Sequence, residues 1–271
     1  MSATTTQSAA ASAETPTARP PGALSTSVTM GYRALLRIRR APEQLADAFL
    51  LPVVFTLLFT YLFGGALAGS TSGYLQDLLP GTLVMTVLLV TAFAGTILNA
   101  DATQGRLDRF RALPIWQPSL IVGGLIGDAG RYLLASAMVI GLGMVMGFRP
   151  EGGVAGVAAG VALIMVFAFS VSWIWTTLGL VARSPQSLSV LSFVVQFPLL
   201  FASNTFVDPA TMPEWLRRLV ELNPVSHLVT TERLLMAGTA GPADVAGVLL
   251  GAAAITVVFA PLTMRLYRRR A

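Results

Sequence analysis

The sequence predicts an all-α membrane protein with six transmembrane helices, an N-terminal interfacial helix, and a re-entrant helix pair between the fifth and sixth spans. Of its 271 residues, 54% are hydrophobic and 11% are charged, which excludes an ordinary soluble surface. Six long stretches carry no charged residue, and each is close to the roughly 20 apolar residues that a helix needs to cross a hydrocarbon core. Arginine residues collect at the ends of these stretches, where basic residues orient a membrane protein.

Two segments precede the first span. Residues 1–27 are rich in Ser, Thr, Ala and Pro, with only Glu14 and Arg19 charged, and they predict a disordered cytosolic tail. No apolar run of the kind found in a signal peptide occurs before Phe49. Residues 28–46 interleave apolar residues with four arginines, which predicts a basic amphipathic helix in the membrane interface. The alternative is a solvated segment that only follows the charge bias. Residues 47–271 then form the transmembrane domain.

The uncharged stretches define the spans in order. They lie between Asp47 and Asp77 and at Leu78–Ala100, Tyr132–Phe148, Gly152–Ala182, Ser184–Val207 and Val245–Met264. Asp128 and Arg131 precede the third span and share one helix face. An unpaired charge near mid-bilayer would cost about 2.5 to 3.5 kcal/mol, so we expect these two residues to pair near the cytosolic end. The spacings Gly143-x-x-x-Gly147 and Gly156-x-x-x-Gly160 predict close helix packing.

The arginines also predict the orientation of the chain. In a six-span arrangement, thirteen arginines fall before the first span, after even-numbered spans or at the C-terminus, and four fall on the opposite side. Basic residues are retained on the cytosolic side. Both termini are therefore expected to be cytosolic; the resemblance given below implies a bacterial cell membrane.

Composition excludes several functions. The chain has no lysine, so it cannot carry the Gly-x-x-x-x-Gly-Lys-Ser/Thr loop that cradles nucleotide phosphates. It has no Cys and a single His, so no metal site is expected. The formal net charge of +5 is explained by arginines at span ends, and no nucleic-acid partner is expected.

Two segments outside the spans indicate function. The loop Asp101–Trp116 reads DATQGRLDRFRALPIW and predicts a short amphipathic helix that presents arginines to another protein while Phe110 and Leu113 anchor it. The alternative is a charged loop that only enforces topology. The segment 204–238 contains a predicted helix, Glu214–Leu222, with i,i+4 ion pairs, followed by an apolar stretch, Val225–Ala237, that is too short and polar to span. It predicts a re-entrant or surface helix pair on the outer side.

These features resemble the type-2 ABC transporter permeases, and most of all the daunorubicin and doxorubicin resistance permeases of actinobacteria. The similarity covers about residues 29–270, and its most specific part is the stretch MPEWLRRLVELNPVSH. The resemblance implies a permease subunit of an ATP-driven exporter of drugs or hydrophobic natural products, acting in antibiotic resistance or self-resistance. It implies two ATP-binding subunits, a second permease chain that is identical or related, and a small amphiphilic substrate. This chain would be no enzyme and would hold no cofactor, with ATP and Mg²⁺ bound on the partner.

The resemblance also implies roles for individual residues. The ATPase-coupling element would comprise Arg106, Leu107, Asp108, Arg109, Phe110 and Arg111. Family members commonly carry an acidic residue where this chain has Gln104, before Gly105. Spans two and five would line the substrate path with Met85, Leu89, Phe93, Phe193, Gln196, Phe197, Phe201 and Asn204. An apolar and aromatic wall with a few amides suits a flat amphiphile better than an ion.

Other functions remain as alternatives. The same architecture serves export of a lipid-linked glycan or an envelope lipid. A proton-coupled secondary transporter would use buried carboxylates, for which Asp128 is the candidate. An intramembrane serine protease needs a nucleophile beside a His base, yet the chain has no Gly-x-Ser, and His227 lies outside the spans. His227 is expected to be a structural or interfacial residue, with proton sensing as the alternative.

Overall fold

The computed structural model describes residues 29, 31–32, 36, 50, 52–65, 69–104 and 119–269. Eight helices have defined bounds in these residues, and no β-strand occurs among them. The all-α class is therefore confirmed for the described chain. The predicted tail (1–27) lies outside the described residues, as does the interfacial helix (28–46) apart from four helical positions.

The helices are numbered in chain order. We number them α1 (Pro52–Phe63, π-helical over Phe59–Phe63), α2 (Thr71–Thr103), α3 (Ser119–Met146), α4 (Gly153–Val181), α5 (Pro185–Phe201), α6 (Glu214–Leu222), α7 (Pro224–Ala237) and α8 (Pro242–Arg269). A single 3-10 turn, Pro209–Thr211, lies between α5 and α6.

Four of these helices, α2, α3, α4 and α8, are long and apolar enough to cross a membrane, while α1 and α5 are apolar but shorter. Helices α2, α3 and α8 are longer than the uncharged stretches that predicted them, whereas α4 and α5 are shorter. Helix α2 starts at Thr71 and continues through Asp101, so it takes in both of the aspartates that were expected to bound it. A helix 33 residues long extends about 50 Å at 1.5 Å per residue, which leaves its charged positions beyond the hydrocarbon core.

Helix α2 lies at the centre of the bundle. It packs against α3, α4, α5 and α7, and its side chains from Leu78 to Leu88 are almost all buried. Because it is enclosed on all sides over this stretch, it shows no single apolar stripe. The bundle is therefore arranged around α2, with α8 added on the far side of α4.

A close helix contact joins α2 to α4 at two glycines. A Cβ atom on Gly95 would overlap the carbonyl oxygen of Trp175, and one on Gly179 would overlap the carbonyl oxygen of Gly95. Backbones can approach this closely only where both side chains are hydrogen, as is common between helices in lipid. The predicted close packing at Gly156 and Gly160 also occurs, but their partner is α7 and not another long helix.

The third helix carries its charges as a pair. Asp128 and Arg131 are both buried and form an ion pair with each other. The next residue, Tyr132, is buried and shares a hydrogen bond of 2.6 Å with Ser172 of α4. The expected pairing is thus confirmed, and α3 itself begins at Ser119, well before the uncharged stretch. A buried pair of this kind adds little net stability, but losing one partner leaves an uncompensated charge.

Helices α6 and α7 are two short helices joined at Asn223, which we call the hairpin; their re-entrant or surface placement stays a prediction. Both predicted ion pairs of α6 are present, Glu214 with Arg218 and Arg217 with Glu221. Helix α7 ends at Gly238, whose φ of 76° allows the left-handed cap that closes a helix. We call the end of the bundle where these helices lie the hairpin end.

The glycine contact between α2 and α4 generates a stability prediction. We expect Gly95→Ala to lower the stability of the fold by about 1–3 kcal/mol, because overpacking forces two backbones apart. The measurement is the thermal midpoint of the purified chain in detergent. Gly141→Ala on α3 is the matched control, since a Cβ there meets no atom within 4 Å. Equal midpoints for the two variants would contradict the close contact.

Candidate functional site

An aromatic cluster joins α1, α5 and the chain that follows α5. Ring centroids lie 5.2 Å apart for Phe193 and Phe197, and 4.2 Å apart for Phe197 and Phe201. Phe206 continues the series at 5.3 Å from Phe201 and 4.7 Å from Phe59. Stacked and tilted rings at these separations attract one another beyond their area burial. They form a continuous aromatic surface along one edge of the bundle, which we call the aromatic edge.

The aromatic edge is open on its outer side. Phe193 is 56% exposed and Phe197 is 41% exposed, and the neighbouring aliphatic residues of α5 are also exposed. Only the opposite face of α5 packs inward, through Leu188, Ser192, Gln196 and Leu200. The outward face of α5 therefore needs an apolar covering, either from lipid or from another protein surface.

A polar contact holds α5 against the central helix. The Gln196 amide donates to the Leu88 carbonyl at 2.8 Å and to Thr91 Oγ1 at 3.4 Å. The Trp175 indole donates to the same Thr91 oxygen at 2.9 Å. Helices α2, α4 and α5 thus meet at one threonine. The Gln196 amide has the partner that an amide in an apolar environment requires.

Asn204 lies at the other end of α5, where the chain turns toward the hairpin. It is 7% exposed, and its amide nitrogen donates to Thr230 Oγ1 at 2.8 Å. Its backbone carbonyl accepts a hydrogen bond of 2.8 Å from Arg233. The same guanidinium donates to the carbonyls of Asp77 at 2.8 Å and Thr205 at 3.1 Å. Arg233 therefore ties α7 to α2 and to the loop after α5.

The other residues expected along the substrate path lie on α2. Met85 is 1% exposed and belongs to the core, and Leu89 and Phe93 are partly buried against the same core. Within one chain, these three side chains lie behind the aromatic edge. Their part in a substrate path remains a prediction, as does that of the residues on α5.

The coupling element falls outside the described part of the chain. Residues 106–111 are not among the described residues, and the description of α2 ends at Gln104. The first three residues of the expected loop, Asp101 to Thr103, are the last helical residues of α2. The role of Arg106–Arg111 therefore remains a prediction made from the sequence.

The model of the ABC-2 type transporter family matches residues 27–236 of this chain. The chain belongs to the ABC-2 type transporter family. Its relatives include the daunorubicin resistance ABC transporter permease protein DrrB1 of Streptomyces coeruleorubidus, with 50% identity over 92% of this chain and 88% of the relative. The resemblance that the sequence suggested is confirmed.

More distant relatives cover most of this permease as well. The probable doxorubicin resistance ABC transporter permease protein DrrC of Mycobacterium tuberculosis is 24% identical over 88% of this chain and 86% of its own length. The putative transport permease ycf38 of Pyropia yezoensis is 25% identical over 75% of this chain and 71% of the relative. The shared region takes in the aromatic edge, the Gln196 contact and most of the hairpin.

Glu232 is the functional candidate that sequence reasoning passed over in this permease. It is completely buried, and neither of its carboxyl oxygens has a hydrogen-bond partner among the described residues. Gly160 of α4 leaves room for the Glu232 carboxyl, because a Cβ at position 160 would overlap Glu232 Oε1. Burial raises the pKa of Glu232 to about 8. The sequence signal was the acidic residue in an apolar helical stretch.

The other position singled out in the hairpin, His227, is exposed on α7. Its backbone carbonyl accepts from Thr231 at 2.9 Å, as expected one turn along a helix. This exposure agrees with a structural or interfacial residue, and its role remains a prediction.

Glu232 makes the stability of the permease depend on pH. Because the pKa of Glu232 is raised in the folded chain, its contribution to the free energy of unfolding is fully present below about pH 4.5. That contribution is lost as the pH rises through about 8. A shift of this size corresponds to a loss on the order of 5 kcal/mol. We expect the thermal midpoint in detergent to decrease as the pH is raised from 5 to 9. Glu232→Gln should remove most of that decrease.

The matched control is Glu221→Gln, because Glu221 is exposed on α6 in a surface ion pair. That variant should follow the unaltered chain at every pH. Parallel pH profiles for Glu232→Gln and the unaltered chain would show that the Glu232 carboxyl is not held neutral by burial.

Proposed function

We propose that this chain is the membrane subunit of an ATP-driven exporter of drugs or hydrophobic natural products, with ATP hydrolysed on a separate subunit. The observation that carries the proposal is the 50% identity, over 92% of this chain, to a daunorubicin resistance permease. The absence of lysine supports it, because the chain cannot form a phosphate-binding loop of the usual kind. Export therefore requires an ATP-binding partner.

The membrane topology in this proposal has six spans and cytosolic termini. Helices α1 and α5 are the two spans added to α2, α3, α4 and α8, since both are apolar and both expose apolar side chains. The hairpin then lies at the outer face. Its position is supported by α6, on which Trp215, Leu219 and Leu222 are all more than half exposed. An exposed apolar row on a helix with a charged opposite face is typical of a helix at the membrane interface.

The substrate path in this proposal runs between two permease chains along their aromatic edges. A second copy or a related chain covers the open face of α5, and two ATP-binding subunits dock on the loop after α2. ATP binding drives export only through a difference in affinity for the inward- and outward-open states. The rings of Phe193, Phe197 and Phe201 form an apolar wall against which a flat amphiphile can stack.

The coupling loop yields the first test. We expect the combined change Arg109→Glu and Phe110→Ala to lower the ATPase activity of the permease co-purified with the ATP-binding protein encoded beside it. The loss should be about tenfold or more, because a reversed charge and a missing anchor act at one contact. The measurement is ATP hydrolysis per copy of ATP-binding protein in nanodiscs.

The control applies the same kind of change at the opposite end, Arg217→Glu with Trp215→Ala on α6. This control should bind the ATPase and support hydrolysis like the unaltered chain. If no ATP-binding protein co-purifies with the unaltered permease, the exporter proposal fails.

The aromatic edge yields the second test. We expect Phe197→Ala to lower daunorubicin efflux from cells that express the complete transporter by about fivefold, since truncating an aromatic contact costs about 1 kcal/mol or more. The amount of protein in the membrane should be unchanged. Phe169→Ala is the control, because Phe169 is similarly exposed on α4 but lies off the aromatic edge. Equal losses for the two variants would place the substrate path elsewhere.

A further inference from the structure

A cavity of about 490 Å³ opens at the hairpin end, between the start of α2, the loop after α5, and α7. Its wall includes Tyr74, Asp77, Asn204, Phe206, Asp208 and Arg233. The volume lies within the range of about 300–1,000 Å³ that small-molecule sites occupy. It shares Phe206 with the aromatic edge, and of the predicted path residues only Asn204 reaches it.

The charges around the cavity favour a cation. Two carboxylates, those of Asp77 and Asp208, face one guanidinium, that of Arg233. The Nε and Nη2 groups of this guanidinium donate to the three backbone carbonyls that fix α7 to α2 and to the loop. Burial lowers the pKa of Arg233, while Asp77 and Asp208 act in the opposite direction. With two carboxylates and one guanidinium, the wall keeps a net negative charge.

The hydrogen-bonding groups around the cavity agree with the charges. Asn204 is nine-tenths buried, and its Oδ1 has no donor among the described residues. The carboxyl of Asp208 accepts one backbone hydrogen bond, from Ala210 at 2.9 Å, which leaves acceptor capacity to spare. The Tyr74 hydroxyl donates to the Phe206 carbonyl at 2.9 Å, so it is not available as a donor to a ligand. A ligand that brings its own N–H donors would satisfy this wall.

Part of the wall is apolar, and Thr205, Thr211 and Thr230 complete it. Leu78, Val207 and Pro209 join the rings of Tyr74 and Phe206 around the acceptor groups. Aromatic faces attract cations, and apolar side chains accommodate a hydrocarbon body. The cavity thus combines an acceptor-rich side with an apolar side, at a scale that one amphiphilic molecule fills.

We propose that this cavity binds an organic ammonium ion carried on an apolar or aromatic body, with Asp77, Asp208 and Asn204 holding the ammonium group. The cavity is a site of this subunit alone and needs neither a second permease chain nor nucleotide. Its part in export, as the last site that an amine-bearing substrate occupies before release, rests on the proposed function. An anionic ligand is disfavoured, because two carboxylates would face it.

The experiment uses the full-length chain in phosphatidylcholine nanodiscs without the ATPase. The probes are dansylcadaverine, a fluorescent primary amine, and its N-acetyl derivative, which has the same body without the charge. Dansyl fluorescence rises in an apolar site, so titration after subtraction of empty nanodiscs gives an affinity for each probe. We expect dansylcadaverine to bind at least about tenfold more tightly than the acetylated probe, because the ammonium pairs with two carboxylates.

The variant for this test is Asp77→Asn combined with Asp208→Asn. Both changes keep the shape of the side chain, and Asn at position 208 keeps the acceptor for Ala210. We expect the variant to bind the cationic probe about tenfold more weakly and the acetylated probe unchanged. Glu151→Gln is the matched control, because Glu151 is an exposed acid in the connection from α3 to α4, outside the cavity wall.

Equal affinities of the unaltered chain for the two probes would overturn the proposal, whether or not the variant folds. Loss of binding in Glu151→Gln equal to that in the double variant would also overturn it, since the effect would then come from general surface charge. Because no nucleotide or partner is present, failure of this test leaves the export proposal standing. Failure of ATP-driven efflux with intact probe binding would contradict the export proposal and leave the cavity proposal standing.

Discussion

The contact between the backbones of α2 and α4 at Gly95 and Gly179 is the constraint on which the rest of the bundle depends. In lipid, an apolar helix surface gains little by contacting another helix instead of the lipid tails. Helices therefore associate through close packing and hydrogen bonds. The two glycines bring the helices close enough for the Trp175 indole to reach Thr91, and Thr91 in turn meets the Gln196 amide of α5. The position of α5, and with it the direction that the aromatic edge faces, therefore depends on a contact that only two glycines allow.

Amide and guanidinium side chains connect the helices by donating to backbone carbonyls. Asn99 donates to two carbonyls at the end of α4, and Asn223 donates to two at the end of α5. The last carbonyls of a helix have no partner within it, and in an apolar medium each of them would be costly to leave bare. Arg233 acts similarly across α2 and the loop after α5. The amide nitrogens of Gln196 and Asn204 are likewise engaged within the protein, while Asn204 Oδ1 has no donor among the described residues.

Much of this fold can be predicted from the sequence, because charge and hydropathy control helix location directly. The long apolar helices, the Asp128–Arg131 pair and both ion pairs of α6 were accessible from spacing alone. The helix ends were not, since charged residues such as Asp77 can continue a helix beyond the hydrocarbon core. The partner of Gly156 and Gly160 was also beyond reach, because glycine spacing indicates a close approach without naming the helix that makes it. For the same reason Glu232 was missed as a buried group. Its burial results from the position of α7 against α4, and one sequence does not reveal that long-range contact.

The two hydrogen bonds from Asn223 to the end of α5 have a mechanical meaning. They fix that end of the helix, at Leu199 and Ala202, to the start of α7, which is itself fixed to α4 through Gly152. Near the same end, Pro198 lacks the N–H that would bond to the turn before it, so the helix is less stiff there. A rod anchored at one end and softened beside its anchor tilts more readily than it slides. A tilt of α5 about this anchor would displace Ser184, where the helix begins, more than it would displace Ala202.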